Sequence, residues 1–211
     1  MSAHLQTTVN AGKEPIIGFD ENKNLKGMSF FTPLFNAITS KKALMIQYKS
    51  YHSDTPVEEV IHPYYLKEYN QRWFLFALNE KYNAISNFAL DRIESIEWTT
   101  AKFIPNTSID FTHYFDQIVG VSVNHNEKVQ TIMMRVNKEQ LPYTSSKPLH
   151  HSQTVIERCE DGSAILSIEV IPNFELIQLL LSFGHRIEVL SPQSLREEIL
   201  SRIKKSMEIY E

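Results

Sequence analysis

The sequence predicts an α+β protein of two units, a small β-barrel opened by a helix and then a ferredoxin-like α/β sandwich. Three features carry that prediction. Residues 44–99 fall into short alternating, aromatic-rich stretches separated by brief polar turns. Residues 127–211 read strand, helix, strand, strand, helix, strand, helix. Between them, Ile104 to His113 joins a proline to small polar residues, as a linker does. The units are expected at 30–110 and 111–211, after an N-terminal arm at 1–29.

Within the arm, Pro15 to Phe19 reads as a short strand. A helix is expected from Phe30 to Lys42, where Leu34, Phe35, Ile38 and Ala43 recur at helical spacing behind Thr32-Pro33. Strands follow at Leu44–Tyr48, Val57–His62 (stopped by Pro63), Tyr64–Tyr69, Arg72–Leu78, Ala84–Ala89 and Ile93–Thr99. Asn70-Gln71 is a tight turn and Asn79–Asn83 a hairpin loop. Tyr114 to Val121 reads as a short connecting helix.

The second unit opens with a strand at Glu127–Val136 and a helix at Lys138–Tyr143. Strands at Thr154–Cys159 and Ala164–Ile171 flank a turn at Glu160-Asp161-Gly162. Asn173 then caps a helix running to Phe183 and stopped by Gly184. Arg186–Leu190 is the last strand, and Pro192 opens a long helix with Leu195, Ile199, Ile203 and Met207 at intervals of four.

Composition excludes several functions. The net charge is -4, and Lys+Arg against Asp+Glu is 11 to 12 in residues 1–110 and 10 to 13 in residues 111–211. Neither half has the basic excess that coats nucleic acid. The longest strongly apolar run, around Leu176 to Phe183, is too short to span a bilayer, and no signal peptide opens the chain. The single Cys159 permits no intrachain disulfide and reads as a packing residue. A cytoplasmic protein is expected. No phosphate-binding glycine motif, nucleophile elbow or zinc-ligand set is present, so neither catalysis nor a cofactor is expected. His150 and His151, placed on opposite faces by strand alternation, would not share a metal.

Three stretches carry a family resemblance. They are Ile46-Gln47-Tyr48, then His62-Pro63-Tyr64-Tyr65-Leu66 with Arg72-Trp73-Phe74-Leu75, then Phe88-Ala89-Leu90-Asp91-Arg92-Ile93. In this order they resemble the WYL family of bacterial transcription regulators, with Phe74 in place of the tyrosine of the naming triplet. The C-terminal unit resembles the extension that often follows that domain. The resemblance implies an Sm-like barrel that senses a ligand, often a nucleotide or a single-stranded nucleic acid. It also implies a winged helix-turn-helix before the barrel, through which alone DNA would be contacted. No such pattern precedes Phe30.

Arg72 follows a turn and could stand at the barrel rim, where its planar fork suits phosphate or carboxylate; a solvated turn residue fits equally. Trp73 could stack on a base, although alternation turns it away from Arg72 and core packing is favoured. Arg92 is a family site position, against a local structural bond to Asp91. Tyr48, His62 and Tyr65 are candidates for the same mouth, against structural aromatics and a satisfied histidine, and Lys67 shares a face with Tyr65, against an ordinary exposed lysine. Arginines typical of the family are replaced by Ser86 and Ala89, which points to a less charged ligand or a weaker grip on nucleic acid. The expected function is an effector-sensing module. The alternative is a ligand-free interaction module, and the long C-terminal helix suits a homodimer in either case.

Overall fold

The computed structural model describes residues 26–51, 53–123 and 127–211. The expected strand at Pro15–Phe19 and most of the arm fall outside them. Met28–Phe30 forms a 3-10 turn leading into helix α1, Phe31–Thr39. Phe30 is its cap residue, and Pro33 sits in the first turn, where a missing N–H leaves no bond unmade. Leu34 and Ala37 are buried and Ile38 packs beside them, whereas Phe35, expected on the apolar face, is half exposed.

Five strands follow, β1 Leu44–Tyr48, β2 Val57–Tyr69, β3 Arg72–Asn79, β4 Ala84–Ala89 and β5 Ile93–Trp98. They form one antiparallel sheet in the order β4-β3-β2-β1-β5. The expected barrel is not closed, because no ladder joins the edge strands β4 and β5 among the described residues. Two expected strands are in fact one. Pro63 does not stop β2 but lies where its register shifts, between Pro63 and Tyr65, and an irregular position tolerates a residue with no N–H. The two halves of β2 therefore serve different neighbours, Val57–Ile61 pairing with β1 and Ile61–Tyr69 with β3. Asn70 and Gln71 take φ of 50° and 60°, the left-handed pair that a two-residue hairpin needs.

Alternation along β3 divides the sheet's two faces. Leu75 and Ala77 join Leu44, Ile46, Ile61 and Phe88 in a core closed by Leu34 and Ala37 of α1. Trp73 packs against that core and meets Phe31 edge-on at 4.7 Å between ring centroids. On the other face, Phe76 is covered by the segment after the linker. A helix was expected there, but residues 111–117 form turns. Phe111, Tyr114 and Phe115 lie over Tyr65 and Phe76 with centroids 5.0–6.0 Å apart. Rings that bury one another in this way make the segment a strap across the sheet.

The remaining elements follow the expected order: β6 Gln130–Val136, α2 Leu141–Ser146, β7 Thr154–Arg158, β8 Ala164–Val170, α3 Phe174–Ser182, β9 Ile187–Ser191 and α4 Gln193–Tyr210. Helix α2 starts later than expected. The four strands pair antiparallel in the order β7-β8-β6-β9. A second core joins Ile132, Met134, Leu166 and Ile168 to Leu176 and Leu180 of α3 and Leu195 of α4. Strand β7 is exposed along its length, and Cys159 lies half-buried just beyond it rather than packed inside a strand. His150 and His151 are in a turn, not a strand, so their rings meet at 4.1 Å. No helix of the described residues is long and apolar enough to cross a membrane.

Asn173 ties α3 to the segment after the strap. Its Oδ1 accepts from Leu176 N at 2.8 Å, capping α3, a bond worth about 1 kcal/mol. Its Nδ2 donates to Val119 O at 2.7 Å and Ser122 O at 2.9 Å. The first turn of α3 is thereby held against the segment that follows the strap.

Candidate functional site

A cleft of about 300 Å³ lies where the first sheet meets the start of α3. Strand register explains which side chains reach it. Tyr48 ends β1, Arg72 starts β3 opposite Tyr69, and Ala89 ends β4 opposite Phe74. By register Arg72 and Ala89 lie at one end of the sheet and Tyr48 at the other, opposite Val57 and beside Ile93, and the turn from β4 to β5 brings Ala89 within hydrogen-bond distance of Tyr48. Arg92 follows in a 3-10 turn, Leu90–Arg92. Phe174, Glu175 and Gln178 of α3 form the facing wall, with Val121 and Ser122 between. A second hollow of about 390 Å³ adjoins it, shares Asn87, Val121 and Ser122, and continues past Ile85 and Ser86 to Phe76 and Tyr114.

The two arginines have different partners. Arg72 Nη2 is ion-paired with Asp91 Oδ2 and donates to Tyr51 Oη at 3.2 Å. The bond from Asp91 holds the Arg72 guanidinium above its ordinary pKa. Arg92 lies over the ring of the same Tyr51, with 3.8 Å from Cζ to the ring centroid, a cation–π contact. Its Nε is buried with no hydrogen-bond partner, and no carboxylate pairs with it among the described residues. Asp91 therefore serves Arg72, not its neighbour Arg92 as the local alternative supposed. Tyr48 completes this side: Ala89 N donates to its hydroxyl at 3.3 Å, and Phe88 packs edge-on against its ring at 5.1 Å. Burial pushes the Tyr48 hydroxyl above its ordinary pKa, while the Arg92 charge pulls the other way.

Glu175 supplies the opposite charge. Its Oε1 accepts from Ser122 Oγ at 2.8 Å, Ser122 N at 3.1 Å and Val121 N at 3.4 Å, and its Oε2 is buried without a partner. Gly120 permits the close approach. At φ 86°, a Cβ there would lie 2.7 Å from Glu175 Cγ.

The other expected residues lie elsewhere. His62 is fully buried, accepts from Ile104 N at Nδ1 (3.1 Å) and faces Glu80 Oε1 with Nε2 (2.9 Å), a structural histidine pinning the linker. Tyr65 stacks on Phe111 at 5.0 Å, and Lys67 places Nζ 3.5 Å over the Phe115 ring, where burial lowers its pKa. They do share a face, but it is the face under the strap. Trp73 belongs to the core side. Among the described residues, no three His, Cys, Asp or Glu side chains converge as a metal ion requires.

The domain families complete the picture. The family model described as "WYL domain" matches residues 29–98, and that described as "WCX domain" matches residues 128–207. The chain carries a WYL domain followed by a WCX domain. Among solved structures, this WYL protein is similar to proteasome accessory factor B/C of Arthrobacter aurescens, with 18% identity and TM-score 0.37 over 92% of this chain and 28% of that one. It is also similar to a protein described as CRISPR Cas-related, with 11% identity and TM-score 0.51 over 84% of this chain and 50% of that one. The chain thus spans no more than half the length of either. A search of curated proteins finds no match.

Three of the seven expected site residues of this WYL protein, Tyr48, Arg72 and Arg92, meet in one cleft. Tyr51 and Glu175 were missed. Tyr51 stood in a polar turn with no periodicity to orient it. Glu175 lies in the other unit, 83 positions beyond Arg92, and spacing says nothing about such a contact.

Proposed function

We propose that this chain is the effector-sensing part of a bacterial, cytoplasmic WYL-family transcription regulator, taking a nucleotide or a single-stranded nucleic acid into the cleft between its two units. The observation that carries this is Arg92, a guanidinium with a buried, unpartnered Nε beside the paired Arg72 in an accessible hollow. An anionic group is the natural complement of such a fork. In this reading the first unit is an Sm-like barrel left open between β4 and β5, and the second a ferredoxin-like sandwich with α4 added. The strand orders β4-β3-β2-β1-β5 and β7-β8-β6-β9 support both assignments. The function is regulatory and non-enzymatic, needs no cofactor, and reaches DNA only through a separate winged helix-turn-helix.

Ser86 and Ala89, where the family more typically has arginines, line the adjoining hollow and the cleft respectively. A less charged ligand, or a weaker grip on a nucleic-acid strand, follows from the loss of those arginines. Because the walls come from both units, a ligand binding one of their relative arrangements more tightly shifts the population toward it. Titration with nucleotides, cyclic nucleotides and single-stranded oligonucleotides tests the reading. Binding that weakens in Arg92→Ala supports it; binding undiminished in both Arg72→Ala and Arg92→Ala removes this cleft from the function.

A second reading is a ligand-free interaction module, and α4 favours it. Its apolar stripe starts on its own sheet with Leu195 buried and runs off it, Ile203 being 41% and Met207 56% exposed. The helix is acidic at Glu197-Glu198 and basic at Arg202, Lys204 and Lys205. A twin chain crossing antiparallel would match those charges and cover the stripe, forming a homodimer.

A further inference from the structure

Arg92 and Glu175 are the two charges of the cleft that the protein leaves without a counter-ion. Arg72 is neutralised by Asp91, whereas among the described residues no carboxylate pairs with Arg92 and no cation with Glu175. Three donors on Oε1 fix the Glu175 carboxylate in place, so Oε2 cannot turn to find a partner within the protein. One guanidinium and one carboxylate thus remain without a counter-ion in the cleft, while Asp91, paired with Arg72 through Oδ2, keeps its Oδ1 unpartnered. That is a poor match for a ligand that is anionic throughout. It suits one that brings an acceptor to Arg92 and a donor to Glu175. Tyr69, Phe74 and Phe174 line the same hollow and offer rings to a flat group.

We infer that the effector is amphoteric: a flat ring with an N–H donor for Glu175, joined to an anionic group for Arg92. This is the chemistry of a nucleotide whose base carries an exocyclic amine. Adenine and cytosine present such an amine on their pairing edge, and guanine presents N–H groups there. Thymine flanks its single N–H with two carbonyl oxygens, which the fixed carboxylate repels. Glu175, from the second unit, would be the specificity-determining residue. The inference rests on the effector reading above and goes beyond it in naming the base class.

The test uses the whole chain titrated with dAMP, dTMP and short homopolymers of dA and dT. Adenine ligands should bind roughly tenfold more tightly than thymine ligands, as expected for one hydrogen bond to a charged acceptor. Glu175→Gln, which keeps an acceptor for Ser122, should reduce that ratio toward one with unchanged melting temperature. Arg92→Gln should weaken adenine and thymine ligands alike. A preference seen with dAMP identifies a free nucleotide, and one seen only with oligo(dA) a strand; both support the inference. Equal binding of adenine and thymine ligands, still weakened by Arg92→Gln, overturns the role of Glu175 and leaves the effector reading standing. No binding by any of the four overturns both.

Discussion

Arg72 and Asp91, nineteen residues apart, form an ion pair that ties the start of β3 to the turn after β4. The pair neutralises one guanidinium of the cleft and leaves the charge of Arg92 uncompensated. It also steadies the 3-10 turn from which Arg92 projects.

The two arginines should therefore differ in weight. Arg92→Gln is expected to lower the affinity for an anionic ligand about tenfold or more, the scale of a charge-assisted bond. Arg72→Gln should cost less affinity and more stability. Isothermal titration and thermal melts on both variants check the order, and a reversed order would mean that Arg72 leaves Asp91 on binding.

Asp91→Asn should free Arg72. The ion pair is partly solvated, with side-chain exposures of 35% and 18%, so its loss should cost about 1 kcal/mol of stability. Anion affinity should rise, because a second guanidinium becomes available. Chemical denaturation and titration of the same variant would reveal the exchange.

Gly120→Ala should disturb the packing of α3 on the segment after the strap. A Cβ would collide with Glu175 Cγ at 2.7 Å on a backbone of φ 86°, which L side chains rarely adopt. A loss of about 1–2 kcal/mol is expected, with Glu175 displaced from Ser122. An unchanged denaturation midpoint would show that the segment shifts freely.

His150 predicts an acid limb in stability. Burial first, and then the neighbouring His151, lower its pKa from the ordinary 6.5. Its folded pKa is below its unfolded one, so the unfolded chain takes up the proton first as the pH drops. Stability present above pH 6.5 should fall as the pH drops through the window below it. Melting temperatures from pH 7.5 to 5, compared with His150→Phe, measure that limb; the variant should lose it.

If α4 pairs with a twin, Met207→Glu should convert dimers to monomers with little change in folding stability, because Met207 is 56% exposed in the single chain. Multi-angle light scattering reads the outcome directly. A monomer at every concentration for the unaltered chain would end the dimer reading.

Most elements were legible in the sequence because strand alternation, turn residues and caps act over a few positions. Asn70-Gln71 announced its hairpin, Asn173 its helix, and the alternation of Arg72 and Trp73 separated cleft from core. Pro63 misled because a proline at a register shift looks locally like a strand end, and only the pairing of β2 with two neighbours shows that it is one strand. The segment at 114–121 misled because its aromatic rings are held by Tyr65 and Phe76, not by helical bonds.

The sequence by itself determined most of the secondary-structure order and the start of a strand at Arg72, consequences of short-range periodicity, while the family resemblance marked Arg92. Tertiary structure alone decided that Asp91 neutralises Arg72, that Tyr51 touches both guanidinium groups, and that Glu175 faces them from the other unit. Those are contacts between residues distant along the chain, set by how two sheets and a strap pack together, and no local pattern encodes them.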